Sequence, residues 1–413
     1  MPEATSSAIV RAALAAIALF GLTWTALHHG FYQHDQVLDT PIYQRYGNAM
    51  ARGQVPYRDF AVEYPPGALP AFALPAVVEP GEPQVLSTTF RRAFETLMWM
   101  CGAFALLAMA YALWAQRAPP ARPWGALAFA AAAPLALGSV VLSRFDLWPA
   151  ALVVAAVAAG IAARWRIASA VLGLAIAVKL YPAVLVPLVV AAAWRREGRR
   201  AGLVALALVA GAATLVFLPF VVLSPGGVWD SVSGQLRRPL QLESLGSAAL
   251  LAAHQVFGSG VTVATSHGSQ NLRGSGPDAL AWLLTALQLG LLLWIWAGFA
   301  RGRLGFVQAA AAALAVFVAF GKVLSPQFLI WLIPLVPLVP GRRGLWASGL
   351  LGAALVLTQL WFPFRYWDLA NHLDATASWL VLSRDLVLAA LAVVLALPAE
   401  RGDARELAAD VRG

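Results

Sequence analysis

The chain has 413 residues, of which 60% are hydrophobic and 12% charged, with a formal net charge of +9. Soluble domains carry about 25% charged residues, so a water-soluble globule is excluded and lipid is the expected solvent. The positive charge does not point to nucleic acid: the arginines lie in small clusters between apolar runs, where cytoplasmic membrane loops carry them.

Apolar stretches recur from end to end, each about long enough to cross a ~30 Å hydrocarbon core. The first, 8–27, reads as a retained span rather than a cleaved signal, since no small-residue cleavage site precedes His28-His29-Gly30. Arginine clusters then place the cytoplasmic turns. Spans are expected at 94–115, 124–141, 147–163, 166–178, 182–194, 201–223, 279–300, 305–320, 328–340, 344–362 and 378–398, about twelve in all. Both termini are then cytoplasmic, with a short charged tail at 399–413. The pieces 166–178 and 328–340 are short enough to be half-spans or tilted hairpins. The chain reads as one all-α polytopic membrane domain over 1–413, in the cell membrane.

Two outer segments are long, 28–93 and 223–278. In the first, Thr40 to Met50 is expected as a short helix lying on the membrane, broken by Arg52-Gly53-Gln54-Val55-Pro56. In the second, the Gly- and Ser-rich stretch 258–276 is expected to be loop.

This topology gathers varied chemistry on the outer side. All six histidines and both lysines, Lys179 and Lys322, fall there, while the inner loops hold mostly arginine. The first outer segment brings Asp35, Asp39, Asp59 and Glu63 close to Tyr43, Tyr57 and Tyr64. An acid beside the membrane surface is either an ordinary solvated carboxylate or a general base tuned by exclusion of water. Arg144 and Asp146 flank Phe145 between apolar runs, as a neutralising pair or as a grip on a charged substrate. Lys179-Leu180-Tyr181-Pro182 and Lys322-Val323-Leu324-Ser325-Pro326-Gln327 each put a lysine before a proline turn. Such a lysine either snorkels or meets a phosphate oxygen; the accompanying proline and polar groups favour phosphate. Arg237 and Arg238 suit a phosphate, and Gln241 and Glu243 suit sugar hydroxyls. His372, in a late outer cluster, is structural or a proton shuttle. Arg384-Asp385 reads as an internal ion pair about one turn into the last span. The sequence has no P-loop, HExxH or GxSxG motif.

Asp39 with Tyr43, Gly53-x-x-Pro56-Tyr57, Tyr64-Pro65-Pro66, Lys179-x-Tyr181-Pro182, Arg238-Pro239-Leu240-Gln241-x-Glu243-Ser244 and Ser325-Pro326-Gln327 occur in that order. The ordered set resembles glycosyltransferase family 87, membrane enzymes of the GT-C type, over about 8–390. The resemblance implies a polyprenyl-phosphate sugar donor, mannose before arabinofuranose, and a glycolipid or glycan acceptor outside the cytoplasm. It also implies transfer with inversion. It places an acidic base in the first outer segment, at Asp39 by the spacing to Tyr43, with Asp35 as the competitor. His372 is the late histidine such enzymes bring near the donor phosphate, though its neighbours do not match clearly. Arg144, Lys179, Lys322, Arg237 and Arg238 would then meet the phosphate. Tyr43, Tyr57, Glu63, Tyr64, Asp146, Tyr181, Gln241, Glu243 and Gln327 would line the substrates. No cofactor beyond the lipid-linked donor is implied, and no metal is required. A secondary transporter or lipid-linked sugar flippase is the rival. It would place its charges near the bilayer midplane rather than on one face.

Overall fold

The computed structural model describes residues 3–34, 37–78 and 86–398. Helix α1 (Ser6–Ala26) begins where the Thr5 hydroxyl accepts the Ala8 N–H at 3.3 Å. The segment after α1 holds the expected short helix, α2 (Thr40–Ala51), and a second apolar one, α3 (Leu69–Val78). Next comes α4 (Thr88–Ala115), capped by Ser87, which begins six residues before the span expected at 94–115. Helix α5 (Ala121–Leu137) stops at Gly138, whose φ of 70° favours glycine. A single turn, α6 (Val140–Ser143), precedes α7 (Leu147–Ile161), α8 (Trp165–Val178), α9 (Val186–Glu197) and α10 (Arg199–Leu223).

The segment between α10 and the next long helix is more ordered than its composition suggests. It contains α11 (Pro225–Leu236), α12 (Leu245–Phe257) and an antiparallel hairpin of β1 (Thr262–Ser266) and β2 (Ser269–Arg273), where loop was expected. His267 and Gly268, both at positive φ, form the two-residue turn that matches strand twist. The described chain is completed by α13 (Ser275–Ala300), α14 (Phe306–Ala319), α15 (Gly341–Trp361), α16 (Tyr366–His372) and α17 (Ala375–Ala396). The stretch expected as a span at 328–340 is not an α-helix. Pro334, Pro337 and Pro340 remove backbone donors, and the segment settles into tight turns at Pro326–Trp331 and Val336–Leu338.

Among the described residues, α1, α4, α10, α13, α15 and α17 are long and apolar enough to cross a membrane, and shorter apolar helices accompany them. The chain is a multi-pass membrane protein. It divides into two compact units. The first takes the described residues up to Ala183 together with Val204–Arg238. In it α7 packs on α4 and α8, and α1 packs on α5. Phe90, Phe94 and Met98 of α4 are wholly buried. The second takes Val184–Leu203 and the described residues from Pro239 onward, with α17 packed on α14 and α15. There Arg384 Nε lies 2.6 Å from Asp385 Oδ1, as expected of an internal pair. The pair sits near the middle of α17, deeper than one turn, with neither side chain exposed. Arg384 also donates to the Glu243 carbonyl at 2.7 Å, anchoring the segment before α12.

Candidate active site

The sequence around Phe145 has to serve two purposes. Gly138 ends α5, one turn of α6 follows, and Arg144 then adopts extended backbone before α7 restarts at Asp146. The turn at Phe145 and Asp146 sets both side chains against Lys179. Arg144 and Asp146 each have a partner far away in the sequence. Arg144 contacts the carboxylate of Asp39 and donates to the Val37 carbonyl at 3.4 Å. Asp146 instead receives Lys179 Nζ at 2.6 Å. Two pairs thus join distant parts of the chain.

Both carboxylates occupy the N-cap position of a helix, Asp39 for α2 and Asp146 for α7. An N-cap aspartate ordinarily accepts a backbone N–H of the first turn, a bond worth ~1 kcal/mol. Neither does so here. Asp39 faces Arg144 and the Tyr43 hydroxyl, which donates to it at 3.4 Å. Lys179 ends α8, where a cation suits the helix dipole, and its Nζ lies 4.7 Å from the centre of the Phe145 ring. Burial pulls the Lys179 ammonium below the usual lysine value; Asp146 opposes that pull, and nearby Arg144 and Arg238 add to it.

The floor is aromatic. Tyr43 is 1% exposed and stacks on Phe72 at 4.6 Å, and Tyr64 meets Phe145 edge-on at 4.8 Å. The Tyr43 and Tyr64 hydroxyls are hydrogen-bonded, and burial raises both above the ordinary tyrosine value. Tyr181, just past Lys179, is buried as well. Tyr57 stands at a φ of 67° and its hydroxyl donates to the Tyr64 carbonyl at 2.6 Å, bracing the loop between them.

The other carboxylates of the first outer segment are placed differently. Asp59 is held down to about 2 by Arg58 and by the Val55 N–H. Glu63 is exposed, and Asp35 lies outside the described residues. Arg237 is exposed at the end of α11, whereas Arg238 lies within electrostatic reach of Lys179.

Lys322, Gln241, Glu243, Gln327 and His372 belong to the second unit. Gln241 and Glu243 are buried, and the Gln241 N–H donates to the Lys322 carbonyl at 2.9 Å. Lys322 is lowered by burial. Ser325 and Gln327 share a hydrogen bond of 2.6 Å. His372 is exposed at the end of α16.

Sequence reasoning did not single out Phe145, Phe72 or Trp148. Trp148 donates to the Gly67 carbonyl at 3.2 Å and borders an apolar cavity of about 620 Å³ in the first unit. Pro66, Gly67, Val178 and Phe220 also line that cavity, so it opens one residue away from Lys179. An aromatic residue between two charged ones was the available signal for Phe145.

The sequence pattern of glycosyltransferase family 87 matches residues 62–326, well over half of the chain. No curated protein sequence matches it. Among solved structures, the chain is similar to the crystal structure of ArnT from Cupriavidus metallidurans bound to undecaprenyl phosphate. The identity is 14% and the TM-score 0.47, over 95% of this chain and 77% of that one. A likeness at that level bears on neither the ligand nor the chemistry of this chain.

Proposed function

Because the chain belongs to glycosyltransferase family 87, we propose that it moves a sugar, mannose in the first instance, from a polyprenyl monophosphate to an acceptor hydroxyl on the extracytoplasmic side. The observation that carries this reading is the gathering of charged groups around Phe145. Three cations, Arg144, Lys179 and Arg238, gather with two carboxylates, Asp39 and Asp146. Arg144 and Asp146 are almost wholly buried there. A phosphate monoester is the anion that such a cluster of donors suits. The apolar cavity beginning at Val178 offers its prenyl tail an apolar wall.

In the proposed reaction the acceptor oxygen bonds to the anomeric carbon as the bond from that carbon to the phosphate oxygen breaks. Asp39 takes the acceptor proton, and polyprenyl phosphate leaves with the bonding pair. Direct displacement inverts the anomeric centre. Arg144 has a particular role in this sequence. It contacts the Asp39 carboxylate, and it stands beside the phosphate as negative charge builds on the leaving group. Asp146 favours the charged form of Lys179 against the pull of its burial and fixes where that cation stands. Lys322, in the second unit, carries the same chemistry at its own proline turn.

The test is donor dependence. A hydrogen bond to a charged group contributes ~1.5–3 kcal/mol, so Lys179→Gln and Arg238→Gln should each raise the KM for polyprenyl-phosphate mannose roughly 10–100-fold. Wild-type KM in both variants would remove the cluster from the donor site.

A further inference from the structure

Helix α11 leaves the end of α10 with two different edges. Trp229 and Leu236, seven residues apart, are 61% and 67% exposed. On the other edge Ser224, Gly227, Val228, Ser231 and Gln235 recur at helical spacing and face the first outer segment. Three of these side chains donate to backbone carbonyls of one short stretch. Ser224 Oγ reaches Tyr57 at 3.0 Å, Ser231 Oγ reaches Tyr64 at 3.3 Å, and Gln235 Nε2 reaches Glu63 at 3.0 Å.

Two details separate this arrangement from ordinary packing. Ser224 occupies the N-cap of α11 yet makes no capping bond, because its hydroxyl is turned to Tyr57. At Gly227 the backbone approach is so close that a Cβ would stand 2.1 Å from the Tyr57 carbonyl oxygen. Residues 57–64 carry two of the site's tyrosines, and Tyr57 is itself held at a φ of 67°. Arg238 follows α11 by two residues, so the seat of the helix sets where that guanidinium emerges.

We propose that α11 is a clamp on the Tyr57–Tyr64 loop, and that Ser231 and Gln235 are positioning residues that set Arg238 against Lys179 for the donor phosphate. The clamp rests on the reading of Arg238 as a phosphate contact, and it adds the element that enforces that placement. Ser231 and Gln235 give their hydrogen bonds to backbone carbonyls, so their loss should leave the reacting groups intact while loosening their arrangement.

The experiment uses the full-length protein in nanodiscs and two independent variants, Ser231→Ala/Gln235→Ala and Gly227→Ala. Hydrogen exchange over 57–64 should quicken at least fivefold in both, while exchange in α4 stays unchanged. The KM for polyprenyl-phosphate mannose should rise about tenfold with kcat within twofold of wild type. In an Arg238→Gln background the same changes should add less than twofold to KM, because they act through the residue already removed. Unchanged exchange over 57–64 would overturn the clamp. A full tenfold effect persisting in the Arg238→Gln background would overturn its action through Arg238. A wild-type KM for Arg238→Gln alone, with quickened exchange in the clamp variants, would instead defeat the phosphate reading and leave α11 as a fold contact. General loosening, seen as faster exchange in α4 as well, would also count against a local clamp.

Discussion

At the scale of single residues, the site is built from side chains that forgo their usual local partner. Asp39, Asp146 and Ser224 all stand at helix N-caps, and none caps. Thr5, Ser87, Ser244 and Asp374, at other helix starts, do cap. Each of the three gives up a cap worth ~1 kcal/mol of local stability, and each lies where a longer-range contact is made instead. His28 makes a comparable long-range contact away from the site. Its Nδ1 lies 2.9 Å from the Trp24 carbonyl and its Nε2 2.9 Å from Glu95, which Arg91 also holds at 2.8 Å. The hydrogen bond to Glu95 raises the His28 imidazolium above its usual 6.5. A raised histidine contributes stability that is fully present below the unfolded value of 6.5 and is lost as pH rises through the folded value. Thermal unfolding of the wild type should therefore fall as pH climbs from 6.5, and His28→Gln should flatten that slope. An equally steep slope in the variant would assign the dependence to another group.

At the scale of elements, Gly67 shows how tightly the loop is seated on α8. A Cβ there would lie 2.6 Å from the Ala177 carbonyl oxygen and 2.8 Å from the Val178 nitrogen, in the turn that delivers Lys179. Gly67→Ala should cost ~1–3 kcal/mol, the usual range for overpacking. It should also weaken donor use, read together by thermal unfolding and donor KM; an unshifted unfolding midpoint would mean the loop yields freely. Much of this level was legible in the sequence. The apolar runs foretold α1, α7, α8, α10, α13, α14, α15 and α17 to within a few residues, because length and hydropathy are local properties. The tight turns after Pro326 and the hairpin around His267-Gly268 were not foreseen. Both depend on backbone geometry that an apolar or Gly-rich composition does not encode. In the site, Asp39, Arg144, Asp146 and Lys179 stood out as charges at the edges of apolar runs. Their pairing did not, because neighbours in sequence, Arg144 and Asp146, turned out to bind partners more than thirty positions away. The grip of Ser231 and Gln235 on a distant backbone left no mark in composition.

At the scale of the whole molecule, the account depends on sidedness. Arginine clusters such as Arg195-Arg196 and Arg342-Arg343 are read as cytoplasmic, and the loop carrying Asp39 and Tyr57 as extracytoplasmic. With the buried Cys101 replaced, a cysteine at Arg52 should react with an impermeant maleimide in intact cells, and one at Glu197 only after permeabilisation. The reverse pattern would invert the topology and with it the choice of substrate. The most direct measurement of the central claim is transfer itself. Purified protein in nanodiscs is given polyprenyl-phosphate mannose labelled in the sugar, with membrane glycolipid as acceptor, and the product is resolved. The wild type should move label to the acceptor. Asp39→Asn should lose at least 10²-fold in turnover, the scale of a missing general base, with donor binding kept. Label that stays on the polyprenyl phosphate with active wild-type protein, or undiminished turnover by Asp39→Asn, would contradict the account.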